Sequence, residues 1–152
     1  MGQMSAQMAI GSGDDGTCVA STCFTQDEVA AYAALTCDFN PLHTDPEFAA
    51  TTRFGAPIVF GTQVLGLVWA SIEATFGAGA LEGARASIRF LRPVQVGSGI
   101  IVRAYVDGAG DEASQAGRGQ SYRFTLTSQA GDLACEVEVW RAAAADANGV
   151  RP

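Results

Sequence analysis

The sequence predicts an α+β fold, a single domain in which one antiparallel sheet wraps around a long central helix. Three observations carry this. The segment GTQVLGLVWASIEATFG (61–77) has the length of a helix and is apolar nearly all round, as a helix covered by other structure must be. After it come four stretches in which apolar and polar residues alternate, the period of a strand with one dry face and one wet face. The chain has 152 residues, enough for one real core and too few for a second.

Taken in order, residues 1–16 are rich in Gly, Ser and Asp and are expected to be disordered. TCVASTCF (17–24) mixes β-branched and small residues and reads as a first strand. TQDEVAAYAALT (25–36) places Glu28 three residues after Thr25. That is the capping-box pattern, in which each side chain satisfies a free backbone N–H of the first helical turn. Val29, Tyr32, Ala33 and Thr36 fall on one face of this helix. It should stop before Asn40, because Pro41 disfavours the α conformation in the residue preceding it. Asp45 and Pro46 supply an N-cap and a first-position proline for a short helix through 48–51. Gly61 and Gly77 bracket the central helix.

The strands follow. In ARASIRFL (84–91), Ala86, Ile88 and Phe90 alternate with Arg85, Ser87 and Arg89. Val102, Ala104 and Val106 share a face of IIVRAYV (100–106), and Tyr122, Phe124 and Leu126 a face of SYRFTLTS (121–128). In LACEVEVWR (133–141), Leu133, Cys135, Val137 and Val139 oppose Glu136 and Glu138. Segments 93–99 and 129–132 read as turns, 107–120 as a flexible hairpin loop and 142–152 as a flexible tail. The folded domain should therefore span 17–141. A sheet curled around one helix in this way is called a hot-dog fold.

Composition narrows the function classes. The net charge is −7 and the isoelectric point near 4.5, with no basic run, so nucleic acid and anionic membrane are excluded as partners. Hydrophobic residues make up 48% and charged ones 16%. That balance is expected where surface is buried in an oligomer or a ligand pocket. Cys18, Cys23, Cys37 and Cys135 lack zinc-ligand spacing, and one histidine cannot supply a multi-His site, so no metal is expected. The cysteines read as free thiols of a reducing compartment. The N-terminus lacks the basic and apolar regions of a signal peptide, and the apolar run 58–70 is shorter than the roughly 20 residues that span a bilayer. A cytoplasmic location follows as the expectation.

Chemistry concentrates in CDFNPLHTDPEFA (37–49), which holds His43, the single histidine of the chain. On a continuous helix Asp38 and His43 would point about 140° apart. The Asn40–Pro41 break removes that constraint and lets both side chains reach one cleft. A carboxylate beside an imidazole can hold and deprotonate water at neutral pH. Spacing alone leaves the plainer possibility open, that Asp38 caps the turn and His43 makes a packing hydrogen bond.

The pattern Asp38-x-Asn40-Pro41-Leu42-His43-x-Asp45-Pro46 continues through Phe48-Ala49-Ala50, Pro57-Ile58-Val59, Gly61 and Phe90-x-x-Pro93-Val94-x-Val96-Gly97. It resembles the hydratase motif of the MaoC-like, (R)-specific enoyl-CoA hydratase family, over roughly Thr25 to Val106. The resemblance implies a hot-dog homodimer that reversibly adds water to a trans-2-enoyl thioester, carried by CoA or an acyl carrier protein, without a metal or redox cofactor. It implies Asp38 and His43 as the catalytic pair and the Gly61 N–H as the donor to the thioester oxygen. Asn40 would shape the turn, Ile58 and Trp69 would line the acyl pocket, and Arg89 and Arg92 are candidates to meet CoA phosphates.

Two departures matter. The family commonly has His-Gly where this chain has Phe60–Gly61, which removes a polar side chain near the site. Trp69 stands where some short-chain members carry a small residue, and its indole would shorten or reshape the pocket. Two other readings are kept open. Glu73, late on the central helix, is the residue to watch for a thioesterase of the same fold. A non-catalytic acyl-thioester-binding relative is the other.

Overall fold

The computed structural model describes residues 16–107 and 120–141. The disorder expected for most of 1–16, the tail 142–152 and the interior of the 107–120 loop lie outside the described residues. The described chain runs β1 (Thr17–Cys23), α1 (Gln26–Thr36), α2 (Pro41–Thr44), α3 (Pro46–Ala50), α4 (Gly61–Phe76), β2 (Arg85–Phe90), β3 (Gly99–Asp107), β4 (Gln120–Ser128) and β5 (Leu133–Arg141).

The strands form one antiparallel sheet in the order β1-β3-β4-β5-β2. Hairpin-linked β3, β4 and β5 are its centre, and the alternation read from the sequence holds there. Val102, Ala104, Tyr122, Phe124, Leu126, Cys135, Val137 and Val139 are buried. They pack with Val64, Val68 and Ile72 of α4 and Val29 and Ala33 of α1 in one apolar cluster. Register shifts between Cys18 and Ala20 and between Leu126 and Thr127 mark bulges, which sharpen the local twist of a sheet.

The structure corrects two expectations. The central helix is not covered all round. Val64, Val68, Ser71, Ile72 and Thr75 are buried, whereas Gly66, Ala70, Glu73 and Ala74 on the other side are exposed. Apart from Glu73, its outer face is apolar because it is built of small residues, not because a single chain encloses it. Strand β2 is likewise exposed at all six positions. It pairs with β5 on one side only, so its alternating pattern lies at a sheet edge rather than over the core. A third difference is α2. Asn40 and Pro41 do more than break α1: Asn40 caps a new turn through Leu42 N–H, with proline at its first position.

Candidate active site

The stretch 37–49 folds by a relay of caps. Cys37 takes a left-handed conformation, φ 55°, and the following Asp38 N–H closes α1 on the Ala33 carbonyl at 3.1 Å. The Asp38 carboxylate accepts the Asn40 N–H at 3.1 Å. The Asn40 side chain accepts the Leu42 N–H at 3.0 Å. Asp45 then accepts the N–H groups of Glu47 at 2.9 Å and Phe48 at 3.1 Å. Short polar side chains used in this way fix successive turns in a chain too short for regular structure.

The relay delivers His43 to an anchored position. Gln26 Nε2 donates to the His43 carbonyl at 3.0 Å. The Ile58 N–H donates to the Leu42 carbonyl at 3.3 Å, and the Ile58 carbonyl lies 2.7 Å from His43 Nδ1. A carbonyl oxygen only accepts, so Nδ1 carries a proton. In the neutral ring Nε2 is then the free acceptor. The imidazole also stacks on Phe60, centroids 3.8 Å apart at 28°.

His43, Ile58 and Gly61 line one cleft of about 300 Å³, with Arg53, Phe90 and Arg92 among the other walls. That is the size of a small ligand site. Gly61 opens α4, and its N-cap Phe60 makes no side-chain hydrogen bond to the first turn. The free N–H groups of the turn and the helix dipole therefore favour negative charge at this end of the cleft. A Cβ on Gly61 would come within 3.2 Å of the Phe90 ring.

Other sequence candidates stand elsewhere. Asp38 and Asn40 are exposed at the turn, and among the described residues no hydrogen bond or ion pair joins Asp38 to His43. Phe60 is buried, 4% exposed, behind the imidazole rather than on the cleft wall. Trp69 is half-buried against the core and Glu73 is exposed; neither lines the cleft. Arg89 is off the cleft and pairs with Glu136; Arg92, though on the cleft wall, pairs with Asp132 at 2.6 Å.

Two cleft residues escaped sequence reading. Arg53 lines the cleft with its guanidinium 4.8 Å from the Phe54 ring. Among the described residues it has no ion-pair partner, unlike Arg89 and Arg92. Its signal was only its place four residues before Pro57-Ile58-Val59. Cys135 also lines the cleft. Burial, with a smaller push from the Glu136 charge, raises its thiol to about 11. It is thus a neutral wall group at neutral pH and not a nucleophile.

The MaoC like domain family model matches residues 13–128. The chain belongs to this family. Its hot-dog fold holds with it. An (R)-specific enoyl-CoA hydratase of Aeromonas caviae is 61% identical over 44 residues, which cover 29% of this chain and 33% of that protein. A mitochondrial 3-hydroxyacyl-[acyl-carrier-protein] dehydratase of Arabidopsis thaliana is 36% identical over 78 residues, 51% of this chain and 46% of that protein. These matches thus span half or less of the curated relatives' lengths. The solved (R)-hydratase from A. caviae involved in PHA biosynthesis superposes with a TM-score of 0.65 at 33% identity, covering 80% of this chain and 90% of that one. The family match spans both the segment 37–49 and the start of α4.

Proposed function

We propose that this MaoC-like protein is a hydratase/dehydratase that reversibly adds water to a trans-2-enoyl thioester. One observation carries the reading. The lone histidine presents an acceptor nitrogen beside a cleft that ends at the uncapped start of a helix. Hydration needs those two groups: an acceptor for a water proton, and donors where the thioester oxygen gathers enolate charge.

Asp38 and His43 bind one water and direct its oxygen at the β-carbon, and one of them passes a proton to the α-carbon. Two groups that share a water need not bond each other. The Gly61 N–H receives the enolate oxygen. No metal or redox cofactor is required, because the thioester already acidifies the α-proton. The carrier is CoA, with a carrier-protein thioester as the alternative that the Arabidopsis relative's name supports. Ile58 forms part of the acyl wall.

The working unit is a homodimer paired through β2. Support comes from an edge strand exposed along its whole length, with Ile88 38% and Phe90 54% exposed. Apolar edges of this kind invite strand pairing. Four unpaired cysteines support a cytoplasmic setting.

The test follows loss of enoyl absorbance with a short enoyl-CoA. Asp38→Asn and His43→Gln should each lower kcat by roughly 10²- to 10⁴-fold with the far-ultraviolet spectrum unchanged. Folded variants that keep the wild-type rate would sink the mechanism. Free thiol release in place of hydration would make the protein a thioesterase.

A further inference from the structure

We infer that Phe60 is a positioning residue for the reaction, and that it sets the plane in which His43 presents Nε2. The inference rests on the hydratase reading and goes beyond it. One hydrogen bond, His43 Nδ1 to the Ile58 carbonyl, fixes one ring atom and leaves the imidazole free to swing about that bond. The Phe60 ring, 3.8 Å away at 28°, closes off one side of the swing. Bond and stack together narrow the orientations open to the ring.

Phe60 is itself packed into the core. It is 4% exposed and lies against Tyr32 of α1, centroids 5.4 Å apart at 44°. Its backbone is the N-cap of α4. A row of three rings, Tyr32, Phe60 and His43, thus transmits the position of α1 to the base. Phe60 also adjoins Gly61, so the plane of the base and the N–H donor at the helix start are built on successive residues.

The chain's single histidine allows a direct test. In ¹⁵N-labelled, tag-free protein the imidazole gives one unambiguous set of resonances. The wild type should show the neutral ring protonated at Nδ1, with its carbon-bound protons shifted upfield by the Phe60 ring. Phe60→Leu should abolish the upfield shift and mix the tautomers. It should lower kcat roughly 10- to 100-fold, the scale of a misplaced catalytic group, with KM little changed. Phe60→Tyr, which keeps the ring, should restore both the shift and most of kcat.

A wild-type ring protonated at Nε2, or one without the upfield shift, overturns the inference. So does a fall in kcat for Phe60→Leu that leaves the imidazole resonances untouched. If Phe60→Leu does not fold, the wild-type spectrum and Phe60→Tyr decide. Absence of turnover in the wild type counts against the hydratase reading alone, because the resonances are read without substrate.

Discussion

The bond from Nδ1 to the Ile58 carbonyl gives His43 a definite chemical sense, acceptor outward. Two neighbours have equally definite expectations. Arg53 is the cleft arginine without a carboxylate among the described residues, so it suits a phosphate of the thioester carrier. Arg53→Ala should raise KM for an enoyl-CoA by roughly five- to tenfold, leave kcat in place, and do nothing to an enoyl-pantetheine lacking phosphate. Cys135, with its thiol raised to about 11, should resist a thiol reagent at pH 7 while Cys18, Cys23 and Cys37, all exposed, react. Its folded pKa lies above the roughly 8.5 of an unfolded cysteine. Its contribution to stability is therefore complete below that value and is lost as pH rises from there to about 11. At this scale the sequence was legible where one residue acts on its near neighbours. Thr25 and Asp45 could be read as caps because a cap works within three residues, whereas Asn40 read only as a turn former. Arg53 and Phe60 could not be placed, since only the packing of distant segments brings them to His43.

Among the elements, α1 shows how local chemistry starts the site. Thr25 and Glu28 form the reciprocal capping box, with the Thr25 N–H donating to Glu28 at 2.8 Å. Thr25→Ala should cost about 1 kcal/mol in thermal or urea unfolding. The bonds from Thr25 hold the Glu28 carboxyl below its ordinary 4.5. A depressed carboxyl stabilises above its unfolded value and loses that contribution as pH falls through the folded one. Thr25→Ala removes the hydroxyl's bond to that carboxylate and keeps the backbone N–H, the larger cause, so the gap between wild type and variant should be complete at pH 7 and narrow only in part towards pH 3. Boundaries of α1, α3, α4 and the strands follow from such caps, prolines and alternation. Exposure was harder to read, because an alternating strand looks the same at a sheet's edge as at its centre. The apolar outer side of α4 likewise reads as core until the chain's own cover is seen to end.

For the whole molecule, those two misread surfaces are the informative ones. Strand β2 is an open edge with apolar side chains, and the proposed dimer covers it. Ile88→Lys should convert the dimer to monomer in sedimentation at micromolar concentration, with the far-ultraviolet spectrum retained. The large buried residues Phe124, Ile72, Ile100 and Leu126 lie in the core of the single chain, which is why the subunit should stay folded. The same strand also ends at the cleft. Phe90 and Leu91 stand 54% and 50% exposed, and both line the wall that His43 faces. In the proposed dimer, self-association and substrate capture would share these side chains, and thermodynamics would make any coupling between them mutual. Diluting the protein should loosen its hold on the thioester, and saturating it with thioester should hold the subunits together at concentrations where the empty protein dissociates.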